Sequence, residues 1–133
     1  MKTAQMMNTY VDAPDFERDL LARTVDALTE CAQACTACAD ACLDEQMVAD
    51  LRQCIHANLD CSDICATTAR VLSRHAGYDV DVARTQLQAC IQVCRSCAAM
   101  CEQHAGHHEH CRLCAEACRT CEKICNELLA YIA

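Results

Sequence analysis

The chain of 133 residues holds only two glycines, one proline, one phenylalanine, three tyrosines and no tryptophan. So few Gly and Pro leave little material for tight turns, which excludes a loop-rich or many-stranded architecture. So few aromatics leave no platform on which nucleobases could stack. The net charge of −8, with His neutral, also withholds the basic footprint that nucleic acid rewards, so no nucleic-acid partner is expected. No run approaches the roughly 18 apolar residues of a membrane span, and no membrane partner is expected. The N-terminal "MKTAQMMNTYVDAP" has one Lys and no apolar h-region. The expected compartment is the reducing cytoplasm, where thiols stay free unless metal takes them. Also missing are a Ser/His/Asp set, a carboxylate pair on one stripe and a Gly-rich phosphate loop, so the chain reads as no enzyme.

What the chain does have is sixteen cysteines. A Cys share above about 8–10% normally marks a secreted disulfide scaffold, but such scaffolds are built from loops. Here the remainder is Ala, Leu, Gln, Glu, Arg and Asp, in which strong helix formers dominate. The breakers are few. "DAPD" at 12–15 offers Asp caps and a first-turn Pro, and "LDEQ" at 43–46 is a polar break. "HAGYD" at 75–79 carries Gly77 as a C′ glycine and Asp79 as an N-cap, and "HAGHH" at 104–108 carries Gly106. These signals predict four helices, at about 15–43, 48–75, 80–104 and 108–131. Short connections between long helices make neighbours antiparallel. The predicted fold is all-α, an up-down-up-down four-helix bundle with a Cys-lined core. Residues 1–133 form one domain in this reading, with 1–14 as a tail or short helix that includes Met6 and Met7.

The cysteines follow an internal duplication. "CAQACTACADAC" places Cys31, Cys35, Cys38 and Cys42 at gaps of four, three and four, and "CIQVCRSCAAMC" repeats those gaps at Cys90, Cys94, Cys97 and Cys101. Cys54, Cys61 and Cys65 correspond to Cys114, Cys121 and Cys125 under a shift of 60 residues. Cys111 and Cys118 meet Leu51 and Asn58 under the same shift, so the second helix is a depleted copy. Gaps of three and four keep side chains on one helical stripe, here the stripe that faces the inside of a bundle. The stripes continue as ordinary core through Leu21, Thr24 and Leu28, through Thr68 and Leu72, through Ala83 and Leu87, and through Leu128 and Ile132. All thiols therefore line one end of the interior, over a length of about 16–21 Å at 1.5 Å per residue. Aliphatic side chains close the other end. One buried Cys needs no function, but Leu would pack four matched stripes better, and Leu is used where the thiols stop.

Thiolates bind soft metals: Cu(I), Zn(II) and iron–sulfur clusters. Structural zinc takes closed sets of four ligands on loops or turns, and cluster-binding runs also sit on loops. Here each CxxC pair lies inside a longer series on continuous helix. Rigid thiol stripes suit metals with two or three sulfur ligands and sulfurs shared between metals, which Cu(I) accepts. Charge points the same way, because one Cu(I) per thiolate leaves a neutral core whereas one Zn(II) per four leaves a large negative residue. The apo core should hold protonated thiols, fold before metal arrives and release about one proton per thiol on loading.

This pattern resembles the bacterial copper storage proteins, over about residues 15 to 132, through the repeated CxxxCxxCxxxC stripes and the His-rich 104–110 turn. The resemblance implies a bundle that holds many Cu(I) ions, the cytosolic branch of the family, and a homotetramer. A copper chaperone or exporter would be the exchange partner.

Around the thiols, His104 continues the third stripe past Cys101 and His107 continues the fourth before Cys111, with His108 and His110 beside them. These imidazoles read as a gate that passes Cu(I) to the first thiols. Met47, in the opposite turn at the same end, is a further candidate ligand. Asn58 is polar at an interior position and reads as a metal-site candidate, a hydrogen-bond donor to a thiolate before an oxygen ligand. Met100 is off the stripe and reads as packing, His56 and His75 as surface residues. The alternative reading is a zinc or general soft-metal buffer. A CxxC oxidoreductase needs an exposed low-pKa thiol at a helix N-terminus, which interior mid-helix thiols do not provide. An iron–sulfur carrier is the remaining rival.

Overall fold

The computed structural model describes residues 2–10, 15–76 and 78–132, with the side chains of residues 15–17 outside that description. Five α-helices are present among the described residues: α1 (Lys2–Met7), α2 (Asp15–Leu43), α3 (Arg52–Leu72), α4 (Val80–His104) and α5 (Glu109–Ile132), with a 3-10 turn at Val48–Leu51. Asp12, Pro14 and Gly77, read above as punctuation, lie outside the described residues. Helices α2 to α5 run up and down, and each packs on its two neighbours, with α5 closing back on α2.

The caps explain the boundaries. Asp79 is the N-cap of α4, and its Oδ1 accepts the backbone N–H of Asp81 at 3.0 Å and of Val82 at 3.3 Å. The second predicted helix differs from expectation at both ends. Met47 has no capping side chain, and the segment starts with a tight Asp50 N–H to Met47 carbonyl bond of 3.0 Å, so residues 48–51 wind as 3-10 before α3 begins. The helix ends at Leu72, three residues before the predicted end, because Ser73 stops it: its Oγ donates to the Ala69 carbonyl at 2.7 Å, and its N–H binds the Ala69 and Arg70 carbonyls. The last helix starts at Glu109, one residue after the predicted start.

The core has the two predicted halves. Leu28, Leu72, Leu87 and Leu128 are buried to 1% exposure or less at the end away from the 44–47 and 105–108 turns. Each contributes about 1.5–3 kcal/mol of burial, so this half needs no metal to hold the helices together. Thr24 and Thr68 are fully buried there. Their hydroxyls donate to the Leu20 and Ile64 carbonyls at 2.7 and 2.6 Å, and Gln86 Nε2 donates to Thr68 at 2.9 Å. Between α2 and α3, Ser62 Oγ meets Thr36 Oγ1 at 2.6 Å and donates to the Ala32 carbonyl at 2.9 Å.

Two expectations need correction. Met7 is core, at 3% exposure, because α1 folds back onto α2 and lays it over the bundle; Met6 stays exposed. His75 is half-buried, its ring edge-on to Tyr10 with centroids 4.9 Å apart and stacked on Tyr78 at 6.3 Å. His56 is exposed, and Met100 packs partly buried against the core.

Candidate metal centre

All sixteen cysteines are free and buried, none more than 1% exposed. They form one connected column. Near the 44–47 and 105–108 turns, Cys38, Cys42, Cys54 and Cys111 have their sulfurs within 4.8 Å of one another. The next groups inward are Cys38, Cys101 and Cys114, then Cys35, Cys97, Cys114 and Cys118, then Cys31, Cys35, Cys61 and Cys118. Cys31, Cys65, Cys94 and Cys121 follow. Cys90 lies 3.7 Å from Cys65, and Cys125 lies 3.9 Å from Cys121, at the aliphatic end.

Two features of this column decide its chemistry. Many neighbouring sulfurs lie 3.5–4.0 Å apart, from Cys65–Cys94 at 3.5 Å to Cys31–Cys61 at 4.0 Å, within groups that span up to 4.8 Å. A metal–sulfur bond of about 2.3 Å gives sulfur–sulfur edges of about 3.8 Å in a tetrahedral site and about 4.0 Å in a trigonal one. These separations are compatible with sulfurs sharing one metal. Second, the groups share members: Cys31, Cys35, Cys38, Cys114 and Cys118 each belong to at least two. Shared sulfurs suit bridged metals, not a row of closed four-ligand sites.

Ionisation is rationed along the column. Burial, with Cys38 and Cys54 close by, pushes Cys42 up to about 12. Burial also raises Cys111. Cys101 is pushed up because its hydrogen is held by Cys114 and Cys38. Cys38 is lowered to about 6, chiefly by its bond to Cys101, with His110 a further cause. A few thiolates can exist only because neighbouring thiols keep their protons and donate to them.

Asn58 is fully buried at the point where α3 lacks a thiol. Its Oδ1 accepts from Cys97 at 3.0 Å, Cys114 at 3.1 Å and Cys101 at 3.5 Å, and its Nδ2 donates to Cys54 at 3.7 Å. The amide thus bridges three helices through four sulfurs.

The histidines separate at the mouth. His110 reaches the thiols: Nδ1 lies 3.4 Å from Cys38 and 3.6 Å from Cys111. Its Nε2 lies 3.1 Å from Glu45 Oε1. Desolvation lowers the His110 pKa, but the Cys38 and Glu45 bonds outweigh it and the net shift is upward. His108 Nδ1 lies 3.3 Å from the same Glu45 oxygen. His104 is half-buried. His107 is exposed on the turn and does not extend the fourth stripe, because α5 begins two residues after it. Met47 is also exposed, at 53%. Sequence reasoning missed Glu45, which looks like one more polar residue of the "LDEQ" break until two turns meet, and Ser62, whose partners lie on another helix.

A four-helix bundle whose interior is a continuous column of free thiols belongs to the class of thiolate metal stores. A sequence profile of copper storage proteins (Csp) matches residues 17–130, and the chain belongs to that family. Copper storage, with Cu(I) as the cargo, is the function that this family and these buried sulfur groups define. The chain is 55% identical to the copper storage protein Ccsp of Streptomyces lividans in a structure loaded with 10 copper equivalents, covering 96% of this chain and 98% of that one, with a TM-score of 0.94. A second structure, described as a cytosolic copper storage protein from the same organism with five coppers, is 58% identical over 88% of this chain and 98% of that one, with a TM-score of 0.87. An uncharacterized cysteine-rich protein of Bacillus subtilis (strain 168), YhjQ, is 30% identical over 68% of this chain and 79% of its own length.

Proposed function

We propose that the chain is one storage domain that sequesters Cu(I) in bridged thiolate clusters along the whole column, with all sixteen cysteines as ligands. The observation that carries this reading is the sharing of sulfurs between adjacent groups. Sixteen thiols fill at most four zinc sites if each takes four, but bridging lets the same thiols hold about one Cu(I) each. Copper passes in and out at the His-rich end, where His110 Nδ1 beside Cys38 and Cys111 makes it the first nitrogen on the path. His104, His107, His108 and Met47 assist from the rim as transient ligands. Asn58 acts through its hydrogen bonds, since a hard oxygen is a poor partner for Cu(I). The protein works in the cytosol, as the description of its Streptomyces relative supports, and catalyses no reaction. It exchanges copper with a chaperone or exporter and assembles as a homotetramer.

X-ray absorption at the copper edge of the reduced, loaded protein tests the reading. The expected spectrum has sulfur as the dominant neighbour and a short copper–copper distance. Isolated copper atoms without metal–metal scattering would refute bridged clusters.

A further inference from the structure

On the proposed path into the column the first nitrogen is His110 Nδ1, 3.4 Å from Cys38 and 3.6 Å from Cys111. A ring nitrogen binds metal only when it carries no hydrogen, and a neutral imidazole keeps one hydrogen on one of its two nitrogens. Which nitrogen is bare is set by what the other one meets. Here the other one meets Glu45, with Nε2 3.1 Å from Oε1. A carboxylate only accepts, so it favours the hydrogen on Nε2 and leaves the Nδ1 lone pair facing the thiols.

Glu45 is fixed where this contact needs it. Its N–H donates to the Cys42 carbonyl at 3.2 Å, which ties the turn to the last thiol of α2. The ring of His110 is flanked by His108, with centroids 5.4 Å apart and planes 24° apart. His108 Nδ1 also lies 3.3 Å from the same Glu45 oxygen, and the His108 side chain is only 10% exposed. The stacked ring shields the contact between Glu45 and His110 from water, which strengthens it. His110 is therefore held on three sides, by sulfurs, by an imidazole face and by a carboxylate.

We propose that Glu45 is the positioning residue of the entry site: its carboxylate holds the His110 hydrogen on Nε2, so that a bare Nδ1 stands beside Cys38 and Cys111 for each incoming Cu(I). Glu45 binds no copper itself, because a hard oxygen is a poor partner for Cu(I). It acts through the ring. A hydrogen donated to a carboxylate also makes the opposite nitrogen a better donor to metal. Without Glu45 the ring can turn over, or carry its hydrogen on Nδ1 and occupy the place of copper.

This role rests on the storage reading, and the test separates the two. Reduced protein is mixed with one equivalent of Cu(I), supplied as a weak complex, and the copper–thiolate absorbance is followed in time. A full titration of the same samples gives the capacity. Glu45→Ala keeps the aliphatic half of the core, so the bundle stays folded. It should load its first Cu(I) about 10–100-fold more slowly than wild type, the usual cost of removing the outer partner of a ligand histidine, with capacity unchanged. In a His110→Ala background it should slow loading no further, because the two residues act as one unit. His56→Ala, at an exposed position on α3, should match wild type. Nitrogen-edited NMR of the His110 ring in copper-bound protein supplies a readout that a loss of packing alone would not move. The wild-type ring hydrogen should sit on Nε2 and exchange slowly with water, and in Glu45→Ala it should exchange fast. Wild-type loading by Glu45→Ala, an equal slowing with and without His110, or an unchanged ring signal would overturn the proposal. A wild-type chain that stops at about four Cu(I) would overturn the storage reading instead, and the loading rate of the first Cu(I) would still report on Glu45.

Discussion

Asn58→Leu separates stability from function at the centre of the column. The amide is fully buried and makes four hydrogen bonds, all to sulfur. A bond between nitrogen or oxygen groups contributes about 1 kcal/mol net. Thiols are weak donors and weak acceptors, so the four together are worth about 2 kcal/mol. Against this, the folded state carries about 1–3 kcal/mol of amide desolvation, and a Leu of similar volume adds about 1.5–3 kcal/mol of apolar burial. The change in branching costs up to about 1.5 kcal/mol. The reduced apo Asn58→Leu protein should therefore lie between about 1 kcal/mol less stable and about 4 kcal/mol more stable than wild type. Asn58→Ala has the same losses and a void, and should lie about 2–3 kcal/mol below the Leu variant. Urea unfolding followed by circular dichroism under argon, at unchanged m-value, gives both differences. If Asn58→Leu loses more than about 2 kcal/mol, the weak-bond reasoning is wrong and the amide holds the bundle together. If it loses nothing, the residue is there to set the positions of Cys54, Cys97, Cys101 and Cys114.

Three other outcomes follow from the same structure. Folding raises the Cys42 thiol from 9.0 to about 12, so its contribution to apo stability is complete below pH 9 and is lost as pH rises toward 12; urea midpoints unchanged between those values would contradict the burial argument. Met7→Ala should cost about 2 kcal/mol, because this thioether of α1 is buried to 3% exposure where α1 packs on α2, and a thermal melt identical to wild type would return α1 to the status of a tail. Ser62→Ala removes the bonds to Thr36 and the Ala32 carbonyl that join α2 to α3, at a cost of about 1–2 kcal/mol in the same unfolding assay; no measurable loss would make that bridge incidental.

The bundle was legible because one signal repeats. Cys at gaps of three and four marks the inward face of each helix, and Leu28, Leu72, Leu87 and Leu128 continue it in register. The Val80–His104 helix could be bounded because Asp79 is a true side-chain cap. The start of the second hairpin arm was misread because the 3-10 turn at Val48–Leu51 keeps the residue types of a helix while Met47 supplies no cap. Met7 and His75 gave no periodic signal, and their burial comes from packing against segments distant in sequence. The thiol set was readable residue by residue, but its partition into groups with shared members was not, since that depends on the relative heights of four helices. The same holds for Glu45, whose role appears only when the two turns of the mouth are brought together.

Anaerobic titration of the reduced protein with Cu(I) against a chromophoric chelator, with thiols counted, tests the central claim most directly. The chelator should stay empty until about 16 Cu(I) per chain are bound, one per thiol of the column. A chelator that competes after about the first four would contradict the store and leave a protein with isolated metal sites in its place.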